Sequence, residues 1–538
     1  MPHDPPHHPS QSYLRVTMVC AVVCLLAYVG FLAAYSTSGF PTTMVSTSHW
    51  PSLVDKPVGE DGYYMLTVAD NIATKGRIMY NGGMPATGIQ PLATAMFAAL
   101  DYLVKACGGG TDALIRSVMG LGALLFVVLA YQISRIADAL APPQHRRFAA
   151  TLAFLLTLSS YTLFRLFTYG LETGFYLLLV AACFQVTLHI AAQRRTSAGD
   201  TVLLGLAAGF AGEARIDFGL LFAILLVTLL VYSWITPVKA LAAGALALLV
   251  VSPWFLFVHH VSGSWLPSSG KAESTMVASS TVLQRAGTMA VAVAGQVMPW
   301  CYGVLSHTTV AVALLSTAAA VWFLARRKDI GAQLRSVLLS PLGRLWLLCL
   351  FSLVPIYLLL FNATHFYYRY VAPMAVLTIP VCALALVQVG WVRRHLPVVA
   401  VALCGAFACW TFGALHTGHV GNSQTIAAGY IHRNFPEAHV GSFQSGVVGF
   451  FNPNVENLDG KLNQGALQAT AQHQLPAFID SEHIDVLVDW RSVMNANLPQ
   501  DYLRQGWVAC PVPIVGDVES VCLVRKGFAR HAPGKPQG

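Results

Sequence analysis

The chain has 538 residues, of which 55% are hydrophobic and only 10% are charged, and its mean hydropathy is +0.59. A soluble protein carries about 25% charged residues, so this composition excludes an ordinary soluble enzyme. Apolar runs of about 20 residues recur along most of the chain, and a helix of that length can cross a membrane. The runs lack the alternation of apolar and polar residues that is typical of membrane β-barrel strands. The sequence therefore predicts an all-α polytopic membrane bundle.

The predicted spans begin close to the N-terminus. Residues 1–15 are rich in Pro and His and predict a disordered cytoplasmic segment, and the apolar run after them is typical of a signal anchor because it has no cleavage site. A long polar outer loop, about 36–111, comes next. The eleven predicted spans cover residues 16–35, 112–131, 148–164, 171–190, 201–212, 218–234, 240–258, 308–324, 345–361, 371–391 and 398–415.

The charges between the spans indicate their orientation. With the N-terminus in the cytoplasm, the N-terminus and inner loops hold 14 basic and 4 acidic residues, whereas the outer loops hold 10 of each. Cytoplasmic loops collect Lys and Arg. The net charge of +8 is therefore an orientation signal, and it gives no support for nucleic-acid binding.

The last part of the chain, 416–538, follows the transmembrane domain 16–415 and holds 10 of the 24 acidic residues. Its pattern predicts a small extracytoplasmic α/β domain. An oxidising compartment would permit a disulfide between Cys510 and Cys522, and the alternative is that both stay as thiols. The predicted elements are helices at 424–434 and 464–474, strands at 440–443 and 486–488, and a hairpin with arms at 507–511 and 521–525.

Two adjacent carboxylates, Glu60 and Asp61, follow the first span and precede a helix over 65–75 that we expect to lie on a surface. Such a pair can act as a general base, because each charge raises the pKa of the other and a dry cleft raises both. The same pair could hold a divalent cation. It could also simply supply negative charge to the first turn of the helix. Residue types alone leave these three roles open.

The segment 59–92 resembles the first outer loop of bacterial membrane glycosyltransferases of the GT-C superfamily, with an acidic pair, aromatic residues, a helix and a Gly/Thr/Pro-rich turn. Further short motifs follow in the order expected of that superfamily, although Ile216 replaces a usual Pro and Gly270 a usual Ala. They are Tyr169-Gly170-Leu171-Glu172-Thr173, Ala214-Arg215-Ile216-Asp217, 253–271, Arg369-Tyr370 with Pro373, and the tail segments 440–446 and 455–463.

This resemblance implies a sugar donor linked to polyprenyl phosphate and a catalytic base in the first outer loop, here Glu60 or Asp61. The acceptor hydroxyl would attack the anomeric carbon opposite the phosphate, so inversion is expected. The departing phosphate gains charge, and fixed cations or a metal should lie beside it. The candidate phosphate-binding residues are Lys271, Arg369, Arg215 and His365.

Several of these residues have an alternative structural reading. Arg215 could pair with Glu213 or Asp217, since ionisable groups at membrane depth often pair with each other. Glu172 could cap its helix or contact the donor. Arg369 lies in an interfacial Tyr/Arg cluster that could be a membrane anchor.

The remaining candidates carry aromatic or polar side chains. Tyr63 and Tyr64 could bind the sugar by stacking or lie in the aromatic belt of the membrane. Lys271 follows a Pro/Ser/Gly loop whose backbone could approach a lipid phosphate. The sequence Asn457-Leu458-Asp459-Gly460 is expected to be a turn, with contact to an acceptor glycan as the alternative.

The sequence thus predicts an inverting glycosyltransferase of the bacterial cytoplasmic membrane. Its partners would be a polyprenyl-phosphate-linked sugar, an envelope glycan or lipid acceptor, and membrane lipids. A divalent cation bound by Glu60 and Asp61 is the one cofactor considered. Two alternative functions are a lipid-linked saccharide transporter and an envelope glycan polymerase or ligase, but the polar residues gather at one side of apolar spans, which favours an enzyme.

Overall fold

The computed structural model describes residues 12–34, 58–275, 281–297, 331–332, 335, 338–360, 364–416, 423–510, 514 and 520–528. This part of the chain is mainly helical and contains a five-stranded sheet near the C-terminus. Its first ten helices are α1 Ser12–Ala34, α2 Glu60–Lys75, α3 Pro91–Ala106, α4 Thr111–Leu140, α5 Arg146–Leu158, α6 Tyr161–Thr168, α7 Thr173–Gln193, α8 Ala198–Ala214, α9 Phe218–Val231 and α10 Pro237–Ser262. The helices that follow are α11 Ser268–Thr275, α12 Val282–Val297, α13 Pro341–Leu360, α14 Tyr367–Tyr370, α15 Ala375–Val387, α16 Gly390–Arg394 and α17 Leu396–His416.

Three of the described helices, α4, α7 and α10, are long and apolar enough to cross a membrane, and α5 with α6 would make a fourth. Shorter apolar helices, among them α9 and α15, accompany them. The described helices that pass this test are therefore fewer than the eleven predicted spans. The span predicted at 308–324 lies outside the described residues.

The span predicted at 148–164 is broken in two. The chain bends by 61° between α5 and α6. The bend falls at Ser159 and Ser160, and the Ser160 hydroxyl accepts a hydrogen bond from the backbone N–H of Leu163, which caps α6. A serine pair is a recognised cause of a sharp helix kink, and the cap lets a new helix start in a new direction.

The α2–α3 segment lies between the long helices and the tail. Helix α2 begins with two acidic residues, where negative charge complements the helix dipole, and it ends before Gly76, whose φ of 65° is left-handed. Residues 62–69 of α2 are all buried. The expectation of a surface-lying helix is therefore wrong for this stretch, because α3 and a tail helix pack against it.

The tail contains both helices and the strands that the sequence predicts, together with further short elements. The sheet has the order β2-β1-β3-β5-β4; β1 pairs in parallel with β2 and β3, whereas β5 pairs antiparallel with β3 and β4. A disulfide joins Cys510 and Cys522 across the predicted hairpin. The elements are α18 Ser423–Asn434, β1 Val440–Ser442, α19 Gly446–Phe451, β2 Val455–Asn457, α20 Gln464–Ala471, α21 Leu475–Ser481, β3 Val486–Trp490, α22 Arg491–Asn497, α23 Gln500–Gly506, β4 Trp507–Ala509 and β5 Ser520–Arg525.

One hydrophobic core runs from the helices into the tail. Val447 and Val448 of α19 belong to the same buried cluster as Tyr63 and Leu66 of α2. A second, smaller cluster lies on the other side of the sheet and includes Leu487. Because apolar burial is the main stabilising term in such contacts, the tail is held on α2 by packing as well as by polar contacts.

The close approach of α4 to α6 makes a stability prediction. A Cβ at Gly122 would lie 2.2 Å from the carbonyl oxygen of Phe167, whereas a Cβ at Gly120, on the same helix, would meet no atom within 4 Å. Gly122→Ala should lower the stability of the purified protein by about 1–3 kcal/mol. Gly120→Ala should be neutral or stabilise by up to about 1 kcal/mol, because Ala favours helix over Gly. Thermal unfolding in detergent measures both, and equal melting temperatures would contradict the packing described.

Candidate active site

The N-terminus of α2 lies directly against the turn that follows α6. The backbone N–H of Gly59 donates to the carbonyl of Tyr169 at 3.0 Å. A Cβ on Gly62 would lie 2.4 Å from that same oxygen. Gly170 completes the turn with a left-handed φ of 76°. Gly59, which caps α2, and Gly62 within it therefore let the acidic first turn approach the helical bundle closely.

Glu60 is directed toward the tail. Its carboxylate accepts hydrogen bonds from the backbone N–H groups of Gly446 and Val447, the latter at 3.2 Å to Oε2. These residues begin α19, and the first N–H groups of a helix have no partners within the helix. Burial raises the pKa of Glu60 well above its ordinary value, and the two N–H donors partly oppose that rise. Glu60 thus joins α2 to the tail.

The loop that precedes α19 is fixed by a buried carboxylate of the sheet. Asp489 Oδ2, in β3, accepts from the backbone N–H groups of Phe443 at 2.7 Å and Gln444 at 2.8 Å. The Tyr64 hydroxyl of α2 donates to the Phe443 carbonyl at 3.1 Å. Burial raises the pKa of Asp489, and its hydrogen bonds lower it. Asp489 therefore fixes the start of the loop that leads into α19, whose first N–H groups hold Glu60.

Asp61 is directed toward two cations. Its Oδ2 lies 3.2 Å from Arg369 Nη1, and its Oδ1 lies 3.6 Å from Lys461 Nζ. The three side chains are 19%, 12% and 17% exposed, so the cluster is partly buried, where charges interact more strongly than in water. Asp61 thus bridges one cation of the bundle and one cation of the tail.

Both cations are held by neighbouring groups. The Arg369 guanidinium lies 3.8 Å from the centre of the Phe366 ring, and Lys461 Nζ lies 5.6 Å from that ring. Lys461 follows β2, and its backbone N–H donates to Asp459 Oδ1 at 2.8 Å. Burial raises the pKa of Asp459 to about 6. The turn predicted at Asn457-Leu458-Asp459-Gly460 therefore positions Lys461 beside Asp61.

Arg215 belongs to a second ion-pair cluster, which adjoins the first because the Arg215 and Arg369 guanidinium groups both lie near the Tyr370 ring, at 4.9 and 5.6 Å from its centre. Its guanidinium donates to Glu172 Oε1 at 3.1 Å, to Asp217 Oδ2 at 3.1 Å and to the Tyr357 hydroxyl at 3.0 Å. The Tyr357 hydroxyl also donates to Asp217. The Glu172 side chain makes no capping bond to α7 and is 3% exposed. The donors of Arg215 are thus used within the protein, which is the structural pairing that the sequence offered as an alternative.

The other predicted residues lie in different surroundings. Tyr63 is fully buried, with its ring centre 5.1 Å from that of Phe450 in the tail, and Tyr64 is 5% exposed. Both tyrosines therefore pack between α2 and the tail and present no face to a sugar. Lys271 lies on α11, one turn after Ser268, whose hydroxyl donates to the Lys461 carbonyl at 2.6 Å. His365 lies in the turn before α14, and its side chain is outside the described part of the structure.

Two residues of the site, Lys461 and Asp489, are absent from the sequence-based candidates. A signal for Lys461 was present, because it lies in the segment 455–463 that resembles GT-C tails. Asp489 had no signal beyond an acidic residue at the end of a buried strand. Its role depends on the fold of the loop at 443–445, which the sequence did not specify.

The two acidic residues do not form a shared cation site. Glu60 accepts from backbone N–H groups of the tail, whereas Asp61 contacts Arg369 and Lys461. Hard divalent cations need several converging oxygen ligands, and neighbouring positive charges oppose their binding. Among the described residues no group of three or more metal-ligating side chains occurs. The donor set therefore does not fit a divalent cation, and we derive no step through one.

The fold is similar to solved membrane proteins. ArnT from Cupriavidus metallidurans, bound to undecaprenyl phosphate, matches with a TM-score of 0.57 and 13% identity over 96% of this chain and 98% of that chain. The Archaeoglobus fulgidus oligosaccharyltransferase matches with a TM-score of 0.48 and 11% identity, over 90% of this chain and 70% of that chain. The arabinofuranosyltransferase AftD from Mycobacteria matches with a TM-score of 0.41 and 12% identity, over 96% of this chain and 41% of that chain.

No protein-family profile and no curated protein sequence matches the chain. The structural neighbours are glycosyltransferases of the GT-C superfamily. The resemblance drawn from the sequence motifs is therefore confirmed at the level of the fold.

The burial of Glu60 against α19 leads to a prediction about how the stability of the protein depends on pH. Because the pKa of Glu60 is raised in the folded protein, the folded state binds more protons there, and its stability should fall as pH rises from about 4.5 toward the raised pKa. Glu60→Gln keeps an oxygen for the N–H donors and should remove this part of the pH dependence. Glu437→Gln, at an exposed glutamate of the tail, is the matched control.

Melting temperatures measured between pH 4.5 and 8 test this prediction. The wild type and Glu437→Gln should lose stability over the interval, and the Glu60→Gln profile should be flatter. Parallel profiles for all three proteins would contradict the assignment.

Proposed function

We propose that the protein is a membrane glycosyltransferase that transfers a sugar from a polyprenyl-phosphate donor to an envelope glycan or lipid, with inversion at the anomeric carbon. The supporting observation is Asp61 held between Arg369 and Lys461, which brings a general base and two phosphate-binding cations together. The fold similarity to ArnT, which is bound to undecaprenyl phosphate, supports this class of donor.

Asp61 is the proposed base. Its carboxylate takes the proton of the acceptor hydroxyl while the hydroxyl oxygen forms a bond to the anomeric carbon. The bond between that carbon and the phosphate oxygen breaks on the opposite face, and its electron pair leaves with the polyprenyl phosphate. Arg369 and Lys461 bind this phosphate, whose negative charge grows as the bond breaks.

The ion pairs of Asp61 give donor binding a further role. In the protein without substrate, the two cations are paired with Asp61. The phosphodiester of the donor carries one negative charge and two unesterified oxygens, so it competes with the Asp61 carboxylate for the two cations and accepts hydrogen bonds from them. Donor binding therefore frees the Asp61 carboxylate for the acceptor hydroxyl.

Glu60 is the proposed positioning residue of the pair. Its carboxylate is bonded to backbone N–H groups of α19, and so it orients the first turn of α2 without facing the cations. This ranks the two acidic residues, which residue type alone left equal. The Glu60 contact also makes the orientation of Asp61 dependent on the tail.

The other predicted cations are assigned by their surroundings. We keep Lys271 as a donor-phosphate residue, because α11 is bonded through Ser268 to the backbone of Lys461. Arg215 stabilises the turn between α8 and α9 through its ion pairs. His365 stays a candidate through its position next to Phe366 in the chain.

The proposed setting is a bacterial cytoplasmic membrane crossed about eleven times, with residues 1–15 in the cytoplasm and residues 416–538 outside. The positive charge of the predicted inner loops supports this orientation. In this arrangement the 16–415 domain supplies Asp61 and Arg369, and the tail supplies Lys461. The reaction then takes place at the outer membrane surface, where a lipid-linked donor is accessible.

The base assignment is tested by transfer of radiolabelled sugar from polyprenyl-phosphate donors by purified protein. Asp61→Asn should lower kcat by about 1,000-fold or more, since it removes proton acceptance and leaves a similar shape. Glu60→Gln should retain most activity, and Glu437→Gln should match the wild type. Full activity of Asp61→Asn would sink the base assignment. Loss of lipid-linked sugar from one leaflet without cleavage would instead indicate a transporter.

The phosphate assignment is tested at Lys461. Lys461→Gln should lower kcat/KM for the donor about 10- to 100-fold, through a higher KM or a lower kcat, because one charge-assisted contact to the phosphate is lost. Lys526→Gln, at a tail lysine beyond the sheet whose side chain donates to the Arg504 carbonyl, is the control. Lys461→Gln should also weaken inhibition by free polyprenyl phosphate, by a factor similar to its loss of kcat/KM. Unchanged inhibition would remove Lys461 from the phosphate site.

A further inference from the structure

A large cavity lies at the end of the helical bundle that is far from the candidate active site. It has a volume of about 790 Å³ and lies between the C-terminal parts of α4 and α7, next to Ser340. Helix α7 begins at Thr173, beside the Arg215 cluster, and His189 of the cavity lies about 24 Å further along it. Because the hydrocarbon core of a membrane is about 30 Å thick, the cavity lies near the opposite membrane surface.

Arg135 gives this cavity a positive charge. No acidic residue occurs in the described lining, and the Arg135 guanidinium makes no ion pair or hydrogen bond with any residue that the structure describes. The other basic side chain of the lining, His189, lies 3.8 Å from Asp200 Oδ1 and so has an acidic partner. An arginine is always charged and carries five N–H donors. The charge and donors of Arg135 therefore suit an anion from outside the chain.

Gln132 adds a polar group that also lacks a partner. Its Oε1 is buried and accepts no hydrogen bond from the described part of the chain. The neighbouring Gln185 is used differently, because its Nε2 donates to the Gln132 backbone carbonyl at 3.0 Å and so joins α7 to α4. Buried polar groups in proteins are nearly always hydrogen-bonded, and an exception in the wall of a cavity indicates a ligand. The matching group on the ligand is a hydrogen-bond donor such as a hydroxyl.

An exposed apolar stripe on α4 leads to Arg135. Leu124, Val128 and Tyr131 are 55%, 40% and 58% exposed. Their spacing of three and four residues places them on the same helix face as Arg135. Leu and Val are favoured at the depth of the lipid tails, whereas Tyr and Arg are typical of the headgroup level. This face therefore changes from apolar to cationic in the same order as a phospholipid changes from tails to phosphate.

The lining also distinguishes between headgroups. A zwitterionic headgroup would bring an ammonium group beside Arg135, and no acidic residue of the described lining is present to pair with it. An anionic headgroup that carries hydroxyl groups instead offers a phosphate to Arg135 and a donor to Gln132. A volume of about 790 Å³ is sufficient for a headgroup of this kind.

We propose that this cavity binds the phosphodiester headgroup of one anionic, hydroxyl-bearing phospholipid in the membrane leaflet opposite the active site. Arg135 pairs with the phosphate, Gln132 accepts from a headgroup hydroxyl, and a tail lies along the stripe of Leu124, Val128 and Tyr131. The bound lipid adds to the contact between α4 and α7 that Gln185 makes. In the orientation proposed above, this leaflet is the cytoplasmic one. The site is separate from the transfer reaction and does not depend on the proposed function.

Lipid binding is the first test. The full-length protein, freed of lipid in detergent, is titrated with dioleoyl-phosphatidylglycerol, and bound lipid is measured by native mass spectrometry. Arg135→Gln should weaken binding of the first lipid about tenfold or more, because a charge-assisted contact is lost. Arg146→Gln removes an exposed positive charge just after α4 and outside the cavity, so it is the matched control and should bind like the wild type. Equal losses in both variants, or no loss in Arg135→Gln, would overturn the site.

Two further ligands identify what is bound. Glycerophosphoglycerol, which is the same headgroup without tails, and dioleoyl-phosphatidylcholine, which is zwitterionic, should each bind about tenfold more weakly than phosphatidylglycerol. Glycerophosphoglycerol that binds as tightly as the lipid, and is lost in Arg135→Gln, would assign the cavity to a soluble phosphate and overturn the lipid. Equal binding of phosphatidylcholine would overturn the preference for an anionic headgroup.

Thermal unfolding is the second test. Without lipid, Gln132→Leu should melt at the wild-type temperature or above it, because an apolar side chain of similar size replaces a buried amide that has no partner. Phosphatidylglycerol at about ten times its Kd should raise the melting temperature of the wild type by about 2 °C or more, and that of Gln132→Leu by less. A Gln132→Leu protein that melts lower without lipid and gains as much from lipid as the wild type would contradict the proposed contact.

Discussion

The first turn of α2 is the constraint on which the site depends. Glu60 and Asp61 are adjacent in sequence, and successive side chains on an α-helix diverge by about 100°, so the two carboxylates cannot serve one partner. Glu60 meets the N-terminus of α19, and Asp61 meets Arg369 and Lys461. This division requires that the turn lie close to the bundle, and Gly59 and Gly62 permit that approach.

The two ion-pair clusters differ in which parts of the chain they join. Arg215, Glu172 and Asp217 come from neighbouring turns of the bundle and satisfy one another together with Tyr357. Such a network fixes helix ends, and removal of one partner leaves a costly buried charge. The cluster of Asp61 instead joins distant parts of the chain, because Asp61 and Arg369 come from the 16–415 domain and Lys461 comes from the tail. The geometry of the Asp61 cluster therefore depends on how the tail docks, whereas the Arg215 cluster is formed within the 16–415 domain.

Sequence patterns predicted much of this fold because they report local physics. Long apolar runs predicted α4, α7 and α10, and alternating residues beside Gly and Pro predicted the hairpin closed by Cys510 and Cys522. The break between α5 and α6 escaped prediction because two serines within an apolar run carry little signal. The burial of α2 also escaped it, since an amphipathic helix looks the same whether its apolar face meets lipid or another domain. The approach of Asp61 to Arg369 and Lys461 spans about 300 and 400 residues of chain, which no local pattern encodes.

In the proposed reaction the tail is part of the active site and more than a domain displayed on the outer surface. It supplies the N–H groups that hold Glu60 and the lysine that contacts Asp61, and both come from loops at one edge of its sheet. Asp489 anchors one of these loops to β3, and Asp459 shapes the other. Because Tyr64 of α2 contacts both loops, a displacement of the tail would move Lys461 and loosen Glu60 together. The positions of Asp61, the proposed base, and of Lys461, a proposed phosphate-binding residue, therefore depend on the same contact between α2 and the tail.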